Sequence, residues 1–107
     1  MQPTTFSIII PAHNEERYIG SCLKAIRRAA RRVPDCRVQV IVVANRCTDR
    51  TAAIAKRYGA RVVLNEDRCI SAVRNAGAHH ARGEILVTID ADSLMSEGSL
   101  ADRKSVV

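Results

Sequence analysis

Aromatic residues are scarce in this chain: one Phe, two Tyr and no Trp among 107 residues. It therefore lacks the stacking surfaces of a single-strand nucleic-acid binder, and no basic run is interleaved with aromatics. Glycine is equally sparse, five in all, and none falls in Pro11-Ala12-His13-Asn14 after the first apolar run. That argues against the glycine-rich phosphate loop of a nucleotidyltransferase, and the absence of GxGxxG excludes the dinucleotide fingerprint. No apolar run approaches the roughly 20 residues needed to span a bilayer. Met1 to Thr5 has no basic stretch leading an apolar one, and Phe6 to Pro11 is too short for a signal core. Cys22, Cys36, Cys47 and Cys69 form no Cys-x-x-Cys pair and have no His at zinc-ligand spacing, which argues against a metal knuckle and reads as reduced thiols of a cytoplasmic protein.

What is present is ordinary for one small globular domain, with 47% hydrophobic residues and a formal charge of +6. The basic side chains Lys24, Arg27, Arg28, Arg31 and Arg32 concentrate on one predicted helix. They read as a solvated helix face, with an anionic membrane surface as a minor attraction. No nucleic-acid partner is expected.

Short apolar runs recur at Phe6–Ile10, Val38–Val43, Arg61–Leu64 and Ile85–Ile89, and a helical pattern fills each gap. In the first gap Ile19, Cys22, Leu23, Ile26, Ala30 and Val33 keep the three-and-four spacing of one buried stripe, ended by Pro34 and Asp35. A second helix is predicted from about Asp49 to Tyr58, with Thr48 or Asp49 as its cap and Gly59 as its left-handed stop. A third is predicted from Ile70 to Arg82, its small residues Ala72, Ala76, Gly77 and Ala81 allowing close approach to a sheet. The βαβαβαβ order without hairpin dipeptides predicts an α/β fold, a parallel sheet with helices on both faces. Ligands of such sheets bind beyond the carboxyl ends of the strands. Three polar segments fall there: Pro11 to Glu16, Ala44 to Asp49, and Asp90-Ala91-Asp92.

The last of these points to a metal. In an extended segment, residues two apart face the same side, and adjacent carboxylates repel unless a cation lies between them. Hard oxygen ligands of this kind suit Mg²⁺ or Mn²⁺, whose other positions go to water and substrate phosphates.

Taken together, Phe6-Ser7-Ile8-Ile9-Ile10-Pro11-Ala12-His13-Asn14-Glu15-Glu16, Ile41-Val42-Val43, Thr48-Asp49-Arg50-Thr51, Ala72-Val73-Arg74-Asn75-Ala76-Gly77 and Asp90-Ala91-Asp92 resemble the amino-terminal, nucleotide-sugar-binding half of a family 2 glycosyltransferase. The resemblance runs from Phe6 to about Met95. It implies a Rossmann-like GT-A sheet and a sugar transferred, with inversion, from a nucleotide-diphosphate sugar to an unknown acceptor. Pro11, Ala12 and His13 would hold the nucleobase, the imidazole standing where a ring often stacks, and Glu15 would face the nucleotide. Asn45 occupies a position where the family often has aspartate; its amide can still contact a base, without a stated preference for uracil. Arg74 would lie near the base and phosphates, Asp90 at the ribose or metal, and Asp92 would be the principal metal ligand.

The resemblance places the catalytic base in a second half, and nothing after Met95 matches it. Residues 1–101 are accordingly expected to be a truncated donor-binding half, inactive alone, and 102–107 a non-native tail. A longer parent protein would leave room for association with the cytoplasmic face of a membrane. The competing readings are a nucleotidyltransferase-like enzyme and a non-catalytic basic nucleic-acid-binding module.

Overall fold

The computed structural model describes residues 4–106. Four strands and four helices alternate: β1 (Thr5–Ala12), α1 (Ile19–Arg31), β2 (Arg37–Asn45), α2 (Thr51–Arg57), β3 (Arg61–Asn65), α3 (Ile70–Ala78), β4 (Ile85–Thr88) and α4 (Ser99–Val106). The sheet runs β3-β2-β1-β4, with every neighbouring pair parallel. The chain steps outward from β1 through β2 to β3 and then crosses back to β4 on the other side of β1. With right-handed crossovers, that reversal puts α3 on the face opposite α1 and α2.

Both faces are covered, which is why the strands read as nearly continuous apolar runs. Period-two alternation sends Phe6, Ile8, Ile10 and Ala12 of β1 into the larger core with Ile19, Cys22, Leu23, Ile26 and Ala29 of α1. Ile9 faces the other way and packs with Ile41, Val43 and Val73 under α3. Each large apolar side chain buried in this way contributes roughly 1.5–3 kcal/mol.

Two helix boundaries and one additional helix differ from the sequence-based expectation. α2 starts at Thr51 rather than Asp49, because Asp49 sits just outside the helix and accepts from the Thr51 amide at 3.0 Å. α3 stops at Ala78 rather than Arg82. There the chain tightens into i→i+3 bonds, His80 N to Gly77 O and Ala81 N to Ala78 O, both 3.0 Å, while the Gln39 amide of β2 holds His80 O at 3.1 Å. α4 was not anticipated; Gly98 O accepts from Asp102 N at 2.9 Å in its first turn, and Leu100 is fully buried in the α1 core. Residues 102–106 lie within this helix, which bears on their conformation and not on their origin, and Val107 lies outside the described residues.

Gly77 is the close-approach position on α3. A β-carbon there would stand 2.5 Å from Ile9 Cγ2 and 2.9 Å from Val43 Cγ2. Gly77→Ala is therefore expected to destabilise the fold despite alanine's better helix propensity, by about 1–3 kcal/mol of overpacking. Urea denaturation checks this, and Val43→Ala introduced alongside should recover part of the loss; a more stable Gly77→Ala protein would show that α3 lies farther from the sheet.

Candidate donor-binding site

Because β1 pairs in parallel with both neighbours, the carboxyl ends of β1, β2 and β4 open on one edge. The strand order reverses between β1 and β4, and in open α/β sheets this switch point is where ligands bind. An open cleft of ≈ 730 Å³ lies along the carboxyl end of β4. Arg74, Asp90, Ser93, Ser96 and Arg103 supply its polar lining, and Leu94 and Met95 its apolar side. Arg74 and Asp90, one on α3 and one after β4, thus line the same cleft.

The loop after β1 is stitched to the loop after β2. His13 Nδ1 lies 2.8 Å from Asn45 O; a carbonyl only accepts, so Nδ1 carries the proton and Nε2 keeps its lone pair in the neutral ring. Cys47 Sγ donates to Ala12 O at 3.3 Å, and the Thr48 amide donates to Asn14 Oδ1 at 2.8 Å. One step further, the Glu15 amide donates to Thr51 Oγ1 at 2.9 Å and the Glu16 amide to Asp49 Oδ2 at 3.2 Å. Arg50 N–H returns the contact to Glu16 Oε2 at 3.3 Å. Two residues in these loops adopt left-handed backbone, Asn14 at φ 51° and Arg46 at φ 49°. An asparagine tolerates that conformation; an arginine there is uncommon. Arg46 is held in place by Asn65 O, which accepts its amide at 3.0 Å.

These bonds went unforeseen, and they change the reading of two residues. Asn45 is only 6% exposed, and its amide nitrogen reaches Asp67 O at 2.7 Å, Asn65 Oδ1 at 2.9 Å and Asn65 O at 3.3 Å. Its oxygen accepts from Arg46 Nε at 3.2 Å. The expected base-contacting amide is thereby committed to bracing β2 against the loop after β3. Asp49 helps tie the loops together; the N-cap of α2 is Arg50, not Thr48 or Asp49, and Asp49 takes the Thr51 amide from one residue outside that cap. Of the other predicted residues, Ala12 is buried and Pro11 and Glu15 are half-buried, while His13, Arg74, Asp90 and Asp92 are exposed.

The two aspartates do not continue an extended strand. β4 ends at Thr88, and the Ser93 amide closes a turn on Asp90 O at 3.0 Å. Local hydrogen bonding thus displaces the alternation on which the same-side argument rested. Ala91 is buried between the two acids. Asp90 faces the cleft, whereas Asp92 lies close enough to Cys22 of α1 for its charge to act on that thiol. Burial first, and Asp92 second, push Cys22 up to about 11. Its Sγ lies 3.8 Å from Asp90 O beneath the turn. Glu97, the next acid along the chain, is turned away to Arg32, the C-cap of α1, at 2.8 Å, an exposed pair worth about 0–1 kcal/mol.

Among the described residues, no three His, Cys, Asp or Glu side chains cluster as a metal cage. Asp90 and Asp92 share one short turn, Asp90 at the cleft and Asp92 toward α1; Mg²⁺ and Mn²⁺ are the hard cations that take few carboxylates and keep positions for water and phosphate oxygens.

A family model described as glycosyl transferase family 2 matches residues 7–102. The chain belongs to that family. Its parallel sheet has the GT-A architecture, and its neighbours in structure agree. The mannosyltransferase PcManGT from Pyrobaculum calidifontis, solved in complex with GDP-Man and Mn²⁺, superposes with a TM-score of 0.79 at 28% identity, over 94% of this chain and 31% of that one. Glucosyl-3-phosphoglycerate synthase from Mycobacterium tuberculosis, in complex with Mn²⁺, UDP and glucosyl-3-phosphoglycerate, gives 0.69 at 28% identity, over 92% and 37%. In sequence, the putative glycosyltransferase EpsH of Bacillus subtilis (strain 168) is 30% identical over 97 residues, 86% of this chain and 27% of EpsH. The chain thus spans between a quarter and two-fifths of the length of these proteins.

Asp49 yields a pH prediction for this family member. Burial opposes its charge, but the Thr51 hydroxyl and the Thr51 and Glu16 amides outweigh it and hold the carboxyl below the usual range. A group whose folded pKa is lowered contributes stability above its unfolded value, near ~3.9, and loses it as pH falls through the folded value. Carboxyl-carbon NMR should find Asp49 titrating below a model aspartate, and Asp49→Asn should flatten the acid limb of the stability curve; an ordinary midpoint would mean that the two loops are not tied there.

Proposed function

We propose that this chain is the donor-binding part of a glycosyltransferase that uses a nucleoside-diphosphate sugar and a divalent cation. The observation that carries the proposal is that the parallel β1–β4 pairing brings Asp90 and Arg74 to one cleft at the switch point. His13 offers an exposed ring, pinned through Nδ1 to Asn45 O, on which a nucleobase can stack. Asn45 acts through the loops it braces rather than through its own amide, which leaves uracil and guanine both admissible. Arg74 provides a fixed positive charge for the diphosphate, and Asp90 accepts from a ribose hydroxyl or shares the metal. Asp90 and Asp92 would hold the ion, Mg²⁺ or Mn²⁺, which neutralises the charge that gathers on a departing nucleoside diphosphate.

Asp90 is the one carboxylate among the described residues lining the cleft, and it is occupied in this scheme. A base that takes the acceptor hydroxyl's proton must therefore come from elsewhere, and the chain by itself is expected to bind donor without turnover. The free thiols Cys22, Cys36, Cys47 and Cys69 suit a reducing compartment such as the cytoplasm. No helix of the described residues is long and apolar enough to cross a membrane.

Titration calorimetry with UDP and with GDP tests the assignment. At least one should bind about tenfold or more tightly in Mn²⁺ or Mg²⁺ than in chelator, since each 1.4 kcal/mol of charge neutralisation is tenfold. Asp92→Ala should abolish the difference. Equal affinity in chelator and in metal, or an unchanged metal dependence in Asp92→Ala, would overturn it.

A further inference from the structure

We propose that the outer surface of α1 and α2 docks on an anionic lipid bilayer. Residues 17–34 and 50–64 contain ten of the chain's seventeen lysines and arginines and none of its eleven acids. All ten are exposed. Both helices lie on the same face of the sheet, so the cations form one surface rather than two. Tyr58 joins them: Lys24 Nζ and Arg27 Cζ sit 5.9 and 5.7 Å from its ring centre, and an Arg27 guanidinium nitrogen donates to Tyr58 O at 3.3 Å. Among the described residues, Lys24, Arg28, Arg31, Lys56 and Arg57 enter no ion pair; the single pair on this surface is Arg32 with Glu97. A concentration of unneutralised charge on a small domain is complementary to a surface of opposite sign.

A second feature favours lipid over nucleic acid. Between the helices lies a hollow of ≈ 230 Å³, floored by Leu23, Ile26, Ala30, Val38 and Val40 and rimmed by Arg27 and Tyr58. Cations above an apolar floor, with an amphipathic tyrosine at the rim, match the boundary between headgroups and acyl chains. A nucleic-acid site would instead pair its cations with aromatic platforms or a groove-entering helix. Arg17 and Arg50 stand beside the carboxyl edge of the sheet, but Arg27, Arg28, Arg31, Lys56 and Arg57 lie on the later turns of α1 and α2, away from that edge, so binding through them leaves the donor cleft open.

Vesicle co-sedimentation without nucleotide or metal tests this surface independently of the donor site. The chain is expected to sediment with vesicles of phosphatidylcholine mixed with phosphatidylglycerol and to stay in solution with phosphatidylcholine alone. Binding should vanish when salt is raised from about 0.1 M to about 1 M, where the screening length falls to ~3 Å. Each basic side chain near such a surface is worth roughly fivefold in partitioning, so the combined variant Lys24→Gln/Arg27→Gln/Arg28→Gln/Arg31→Gln should lose on the order of several hundred-fold. Should its circular dichroism show misfolding, Arg28→Gln/Arg31→Gln/Lys56→Gln/Arg57→Gln makes the same test without touching the Tyr58 contacts, again with a large loss. No binding to the anionic vesicles at low salt, undiminished binding by the folded variant, or binding to a mixed-sequence oligonucleotide in preference to the vesicles would each overturn the proposal.

Discussion

The parallel pairing of β1 with β2 on one side and β4 on the other governs the rest of this molecule. Registers Ile9↔Ile41 and Ile9↔Thr88 bring the three strands level, so their carboxyl ends deliver Pro11, Asn45 and Asp90 to one edge. A one-residue slip in either ladder would turn Phe6, Ile8 and Ile10 out of the α1 core. The hydrophobic pattern that fixes the fold therefore also fixes the geometry of the cleft.

Once the strands are level, the loops they emit meet, and polar contacts take over. Asn14, Glu15 and Glu16 engage Thr48, Thr51, Asp49 and Arg50 across more than thirty residues of sequence. Each such bond is worth only about 0.5–1.5 kcal/mol, yet together they hold two irregular segments, one with an arginine in left-handed backbone, at the open carboxyl edge of the sheet. Cys22 carries a similar duty from inside the core: buried on α1, it sits directly beneath the turn that bears Asp90 and Asp92. The site is thus supported from a neighbouring loop and from the core, while its polar face stays open.

Much of this was legible from the amino-acid order alone. The four apolar runs are the four strands, the stripe from Ile19 to Ile26 is the buried face of α1, and Gly59 does adopt φ +83°. Close approach at Gly77 could be read from the small residues around it. What escaped was set by contacts distant in sequence. Nothing local to Asn45 announces that Asn65 and Asp67 will claim its amide, and nothing in Asp90-Ala91-Asp92 shows that Ser93 will close a turn on Asp90 and end the extended run. α3 is cut short by a Gln39 contact from another strand, and α4 has too weak an apolar pattern to be read without Leu100 already placed in the core. Periodicity reports on burial, whereas the arrangement of the site depends on which polar groups find one another.

The central claim is that metal and nucleoside diphosphate meet at the turn after β4. Paramagnetic broadening of backbone amide signals by Mn²⁺ in the presence of UDP or GDP reports that place directly. The account predicts broadening centred on residues 90–93 and reaching Arg74 and the loop around His13, with little effect on α1 residues beyond Ala25. Broadening centred on Glu66 and Asp67, or spread evenly over the exposed acids, would contradict it.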